Sequence, residues 1–256
     1  MIKNVAVAAV CAVSASFASW DLFPVQEAGK GEARITYVNT WLDEGGYGTF
    51  SVGVRYSVIK NLELALTLPY QPYEFDGDGN FYSFADGIGN LTAMAKYQFL
   101  PKFSGFLDVV FPVGNETLVG DDEHFRFRFG AQYSQMFGIV NFGSGLSLGI
   151  ETYGNDKITP PWSLNADAEA DFLVDEMFVP HVRAVFAMEL GRITWSDGRH
   201  TKPHTGHFAA VANVGSFINF TPSFSLDVFG DIQTQWHGDE FFDPVFMAGV
   251  KALYKF

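Results

Sequence analysis

The sequence predicts an all-β protein, a transmembrane antiparallel up-and-down β-barrel of about twelve strands, behind a cleaved N-terminal signal peptide. Three observations carry this. Apolar residues recur at every second position along successive runs, the connections between runs alternate short and long, and no apolar run after the first stretch approaches the ~18 residues of a helical membrane span. A barrel wall shows lipid only alternate side chains, so its average hydropathy stays low; the mean hydropathy here is +0.08.

Composition narrows the function classes. The 256 residues hold 29 Asp and Glu against 16 Lys and Arg, a formal charge of −13, with 48% apolar and 18% charged residues. Disorder needs low hydrophobicity, and binding to phosphate backbones needs a basic excess, so both disorder and nucleic-acid partners are excluded.

The elements follow in chain order. Lys3, the apolar stretch Val5 to Val13 and Ser16-Phe17-Ala18 have the charged, hydrophobic and small-residue parts of a secretory signal cut after Ala18. The run is too short for a membrane anchor, and Val10 before Cys11 does not fit a lipidation site. Cys11 is the one cysteine, so the exported chain has neither disulfides nor thiolate metal sites. Residues 19–31, with Trp20, Leu22 and Phe23, form an N-terminal segment able to plug a lumen, and residues 32–256 form the barrel.

The first strand is expected at about 33–42. The second sets Phe50, Val52, Val54, Tyr56 and Val58 against Ser51, Gly53, Arg55 and Ser57. Leu62, Leu64, Leu66, Leu68 and Tyr70 then oppose Glu63, Ala65 and Thr67, and Leu91, Ala93, Ala95, Tyr97 and Phe99 oppose Thr92, Met94, Lys96 and Gln98. A fifth strand at 103–112 precedes Phe125, Phe127, Phe129, Ala131 and Tyr133, which alternate with Arg126, Arg128, Gly130 and Gln132. After a seventh at 139–152, Leu164, Ala166, Ala168, Ala170, Phe172 and Val174 alternate with Asn165, Asp167, Glu169, Asp171 and Leu173. Strands at 178–189, 207–217 and 223–235 lead to the last, Phe246, Ala248, Val250, Ala252, Tyr254 and Phe256. Strands nine and eleven are the least regular, around Pro180-His181 and Asp227 to Gln233, so ten and fourteen are the neighbouring counts. A soluble sandwich also alternates, but its inward face packs bulky aliphatics, whereas here one face is rich in Gly, Ser, Asn, Asp, Arg and Lys.

Short connections fall at Lys60-Asn61, Leu100 to Lys102, Phe137-Gly138, Asp175-Glu176 and Asn219 to Pro222. Longer polar ones fall at Gln71 to Asp86, Pro112 to Glu123, Tyr153 to Trp162 and Leu190 to His204. That rhythm places the short turns in the periplasm and the long loops outside a bacterial outer membrane. Strand ends carry aromatics such as Trp41, Tyr70, Phe111, Phe137, Trp162 and Trp236, suited to the headgroup level of outer-membrane lipid and lipopolysaccharide. The closing strand ends in Phe256, resembling the signal by which the barrel insertion machinery recognises its clients.

Three stretches carry a family resemblance: Leu66-Thr67-Leu68-Pro69-Tyr70, Asp86-Gly87-Ile88-Gly89-Asn90-Leu91 running into Ala95-Lys96-Tyr97, and Phe111-Pro112-Val113-Gly114-Asn115. Over residues 60–135 the chain resembles the outer-membrane transporter-like barrels labelled for the MetA pathway of phenol degradation. It departs from them at Val113-Gly114-Asn115, where Thr-Gly-Asp or a near variant is usual. The resemblance implies a monomeric barrel passing small, often hydrophobic or aromatic, molecules.

Parity turns Arg55, Lys96, Arg126 and Arg128 inward, together with Asp108, Glu151, Asp167, Glu169, Asp171, Asp227 and Asp231. These lumen-lining residues admit two readings. One is a transverse field, basic on one wall and acidic on the other, that selects solutes by charge. The other is a salt-bridged closure, because lone charges in a constricted lumen need partners. About twelve strands leave room for a narrow channel or one small ligand unless a segment folds in.

Catalytic and metal signals are thin. Gly145-Leu146-Ser147-Leu148-Gly149 matches the nucleophile-elbow pattern but sits in mid-strand rather than on a strand-to-helix turn. A lipid-modifying enzyme needs a serine beside His124, His181 or His207, and no spacing supplies one. Asp76-Gly77-Asp78-Gly79-Asn80 begins like a calcium loop but has Gly87 where a bidentate Glu belongs. His200, His204 and His207 with Asp197 read as solvent-facing. The expected function is passive passage of an unidentified small solute with no cofactor. A closed structural or surface-adhesion barrel and an outer-membrane lipid-modifying enzyme are the alternatives.

Overall fold

The computed structural model describes residues 20–83, 87–115, 124–154, 157–195, 201–203, 205–237 and 240–256. The signal segment 1–18, Ser19, Asp197, His200 and His204 lie outside them.

Twelve long strands form one closed antiparallel barrel. They are β1 (Gly31–Leu42), β2 (Gly45–Ile59), β3 (Leu62–Asp76), β4 (Leu91–Leu100), β5 (Phe103–Phe111) and β6 (Arg126–Phe137), then β7 (Val140–Glu151), β8 (Trp162–Phe172), β9 (Phe178–Leu190), β10 (His207–Thr221), β11 (Phe224–His237) and β12 (Val245–Lys255). Each pairs with its neighbours in sequence. The ring closes where β12 lies against β1, from Glu32 opposite Lys255 to Trp41 opposite Phe246. Closure leaves no unpaired strand edge facing lipid, the condition a sheet must meet to cross hydrocarbon.

The burial pattern is that of a soluble protein turned inside out. Val52, on the outer face, is 59% exposed, whereas Lys96, on the inner face, is 0% exposed. Every second residue of β2 from Phe50 to Val58 is exposed, and Gly53, Arg55 and Ser57 between them are buried. The same parity runs through β12, where Phe246, Val250 and Tyr254 face outward.

The two irregular stretches are strands all the same. The β8 ladder on β9 ends at Asp171 opposite His181, one residue short of Pro180, so the missing proline N–H interrupts no pairing on that side. Asp227 to Gln233 lies in continuous register between β10 and β12.

Several boundaries differ from the sequence reading: β2 begins at Gly45 rather than Phe50, β10 runs to Thr221 rather than 217, and the largest difference is at the end of β3. β3 does not end at Tyr70 but runs on to Asp76, paired with Gly45 to Gly48 of β2, and Phe81–Ser83 folds back onto Tyr73 to Phe75. Glycine explains the extension. The Tyr73 ring lies over Gly48 and the Phe75 ring over Gly46, where an added Cβ would stand 2.5 and 2.6 Å from ring atoms. The aromatic rings supply the cross-strand contact that the glycines lack.

The turns at 60–61, 101–102, 138–139, 173–177 and 222–223 share one rim with Gly31 and Phe256, whose backbones exchange two hydrogen bonds of 2.9 and 3.0 Å. The other rim carries one short turn, at 43–44, and the longer connections. Among these, 158–159, 192–195 and 201–203 form a small separate sheet.

Placing a cation on the outer face tests which side meets lipid. Val54→Arg should cost about 2–4 kcal/mol of stability in a bilayer, the penalty for Arg near the midplane. Equilibrium unfolding from lipid vesicles measures it, and a loss below about 0.5 kcal/mol, typical of a solvated surface site, would contradict the outward assignment.

Candidate functional site: the barrel lumen and the segment inside it

Residues 20–30 enter the barrel from the short-turn rim. Gly29 turns the chain at φ 83°, its amide donates to the Ser57 carbonyl at 2.8 Å, and the Ser57 amide donates to the Lys30 carbonyl at 2.9 Å. Beyond that turn the segment is held by side chains of the wall. The Val25 amide donates to Gln98 at 3.1 Å, and the amide of Phe23 donates to Asp21 at 3.0 Å.

Asp21 is the centre of this attachment. Its carboxylate lies 2.5 Å from the Arg55 guanidinium of β2 and 3.1 Å from Lys96 Nζ of β4. Its backbone carbonyl accepts from Lys96 at 3.2 Å and from Gln132 of β6 at 3.3 Å. Arg55 also meets Glu32 at 3.1 Å and Glu63 at 3.6 Å. A fully buried lysine costs several kcal/mol in desolvation unless paired, and Asp21 supplies the one ion pair of Lys96 among the described residues.

The flanking residues pack on either side. Trp20 donates its indole N–H to Glu32 at 2.7 Å beneath the Arg34 guanidinium, which sits 3.7 Å from the ring centre. Leu22, 1% exposed, rests on β7. The inward positions of β7 run Gly143, Gly145, Ser147, Gly149, a face almost without side chains, and a Cβ on Gly143 would stand 2.6 Å from that of Leu22.

The remaining charges pair along the wall rather than across the bore. Arg126 meets Glu151 on the adjacent β7 at 3.1 Å. Arg128 meets Asp108 on β5 at 3.2 Å and reaches over the glycine face of β7 to Asp167 on β8 at 3.9 Å. On the other side, His181 of β9 reaches over Gly215 of β10 to Asp227 of β11 at 2.8 Å, and Lys251 of β12 meets the second Asp227 oxygen at 2.7 Å. Asp231 accepts from Asn213 at 2.6 Å, and Asp171 accepts from Asn141 at 3.5 Å. Glu169 stands in register with Arg183 on β9.

Of the eleven residues singled out from the sequence, eight are buried and Arg126, Glu151 and Asp231 are half-buried, and they do not form one basic and one acidic wall. Each of the four cations among them has a nearby carboxylate, and three of those carboxylates, Asp21, Glu32 and Glu63, were not in the set. Glu63 and Lys251 lie on the inward parity of recognisable strands and were readable there. Asp21 precedes every strand and has no periodicity to reveal it.

The other motifs resolve locally. Ser147 makes no hydrogen bond, while His124 bonds the Thr152 carbonyl and His181 bonds Asp227. In the calcium-like loop the Asp76 carboxylate accepts from the amides of Asp78 and Asn80 and from the Asn80 side chain, and these bonds hold its carboxyl below the usual carboxylate range.

No family model matches this chain, and no curated protein does. Solved structures are similar in fold. The COG4313 outer membrane channel from Pseudomonas putida F1 superposes with a TM-score of 0.66 at 13% identity, over 91% of this chain and 98% of that one. The translocator domain of the autotransporter NalP from Neisseria meningitidis gives 0.57 at 13% identity, over 99% and 98%. The NanC porin gives 0.53 at 9% identity, over 85% and 98%. At such identities the likeness is one of fold, a closed antiparallel barrel of outer-membrane type.

Docking of the segment is testable through Trp20. With Trp41, Trp162, Trp195 and Trp236 replaced by Phe, Trp20 should emit to the blue and resist iodide quenching. Asp21→Ala removes a buried partner worth about 3–5 kcal/mol and should shift the emission red, as should Gly143→Ala by displacing Leu22. Unchanged emission and quenching in both variants would show that neither contact holds the segment.

Proposed function

We propose that the chain is a bacterial outer-membrane channel or transporter for passive passage of small molecules, with residues 19–31 as a plug in its lumen. The observation that carries this reading is the way the lumen is filled. A barrel built only as a scaffold needs interlocking side chains from its own wall. Here the bore is occupied by a terminal segment held through ion pairs and hydrogen bonds, which water can replace on release.

In this reading residues 1–18 are removed on export, the short-turn rim is periplasmic, and the long loops are extracellular. The outer face meets outer-membrane lipid and lipopolysaccharide, and the β12 strand ending in Phe256 is what the insertion machinery binds. The lumen-lining charges Arg126 with Glu151 and Arg128 with Asp108 and Asp167 border the path toward the extracellular end and select by charge. Hydrophobic or aromatic solutes follow from the family resemblance, and the inward rings of Phe106, Phe217 and Phe229 offer them contact.

Planar-bilayer recording tests it. The refolded wild type should conduct weakly, deletion of residues 20–28 should raise the single-channel conductance severalfold, and Arg126→Ala with Arg128→Ala should move the ion selectivity toward cations. Silence from both wild type and deletion, with the barrel folded, would remove the channel reading in favour of a closed structural or adhesion barrel working through its extracellular loops.

A further inference from the structure

The lumen face of β8 and β9 holds charges that the rest of the network does not use. Glu169 and Arg183 stand in register on adjacent strands and face the same bore, yet they make neither a hydrogen bond nor an ion pair with each other. Glu169 Oε2, Arg183 Nε and Arg183 Nη2 are buried without a partner, and so is Asp171 Oδ1, two residues along the same face of β8. Glu169 and Asp171 are each at least nine-tenths buried.

The surrounding charges are already committed. Asp227 is held by His181 and Lys251, Asp231 by Asn213, and Asp21 by Arg55 and Lys96. What remains fully unpaired on β8 and β9 among the described residues is one guanidinium and the carboxylate of Glu169, with one oxygen of Asp171 free; Asp167 Oδ1, whose other oxygen faces Arg128, and Arg34 Nε, over the Trp20 ring, likewise lack a hydrogen bond. Opposite charges this close would ordinarily gain by pairing directly, because each unpaired buried ion costs several kcal/mol. Held apart, they offer complementary contacts to a molecule carrying both signs.

The free atoms specify its chemistry. Nε and Nη2 form one edge of the guanidinium fork, the edge that takes both oxygens of a carboxylate in parallel hydrogen bonds. Glu169 Oε2 and Asp171 Oδ1 are acceptors only, matched to an ammonium with its three N–H donors. His181 closes one side, with the Phe217 ring 4.8 Å from it, which gives the subsite an apolar edge.

We propose that the lumen face of β8 and β9 is a binding subsite for small zwitterions that carry an ammonium and a carboxylate, as amino acids do. The carboxylate lies on Arg183 and the ammonium between Glu169 and Asp171. The inference rests on the lumen being the solute path.

Saturation-transfer NMR on the refolded full barrel in detergent micelles, at neutral pH, tests it with four small probes: L-alanine, lactate, ethylammonium and lactamide. Alanine should bind about tenfold more tightly than lactate or ethylammonium, the scale of one charge-assisted contact, and more tightly still than lactamide, which carries neither charge. Arg183→Met should reduce alanine to the affinity of ethylammonium, and Glu169→Gln with Asp171→Asn should reduce it to that of lactate. Arg183→Lys, which keeps the charge but not the fork, should retain part of the preference and serves if the Met variant does not refold. Equal binding of alanine and lactamide, or alanine binding indifferent to these substitutions, overturns the subsite. Liposome swelling separates the two readings. Alanine that binds in micelles but does not enter liposomes even through the 20–28 deletion speaks against the channel and leaves the site standing. Ion conductance without alanine preference does the reverse.

Discussion

Everything in this molecule follows from the backbone hydrogen bonds that join β12 to β1. A strand in hydrocarbon has no water to satisfy its N–H and C=O groups, and each orphaned group costs several kcal/mol. The ladder from Glu32 opposite Lys255 to Trp41 opposite Phe246 leaves no open edge. Closure also divides the side chains by parity. Half of each strand must be apolar for lipid, and the other half surrounds a bore about twelve strands in circumference, wider than an eight-stranded barrel, whose side chains fill it. Polar residues therefore go inside because lipid excludes them from the other face.

Concentrating charges in a bore raises the question of what pairs with them. The wall answers locally for Arg126, Arg128 and Lys251, each with a carboxylate on a neighbouring or next-neighbouring strand. For Lys96 the carboxylate within ion-pair distance comes from outside the barrel sequence, on Asp21, although Glu63 of β3 stands in register with it. The segment carrying Asp21 is thus held by the ion pairs it completes with Lys96 and Arg55. Its removal would leave Lys96 without its ion pair, while Arg55 keeps Glu32 and Glu63.

The wall was legible in the sequence because parity is a local property. Phe50 to Val58 and Phe246 to Phe256 announce strand and face without reference to any other residue, and Glu63 and Lys251 could be assigned inward on the same ground. What depends on pairing was not legible. The continuation of β3 past Tyr70 rests on Tyr73 and Phe75 covering Gly48 and Gly46, a contact that exists only once β2 and β3 are in register. Pairing of His181 with Asp227 depends on the registers of β9 with β10 and of β10 with β11 together. Asp21 lies in a stretch without periodicity, and its partners converge from β2, β4 and β6.

Glycines on the inner face connect these features. A β-strand offers one side chain per inward position, and a bulky one screens the strands on either side from each other. Where the position is glycine the screen is gone: His181 passes over Gly215 to Asp227, Arg128 passes over the Gly145 to Gly149 stretch to Asp167, Leu22 settles on Gly143, and the Trp20 ring on Gly53. In mid-strand these glycines weaken the sheet locally. They sit where a side chain from elsewhere takes the vacated volume, so the same positions that lower wall stability fix the course of the charge network and the seat of the N-terminal segment. In a bore lined by polar groups, the absent side chains on β7 and β10 determine the interior as much as the charged ones do.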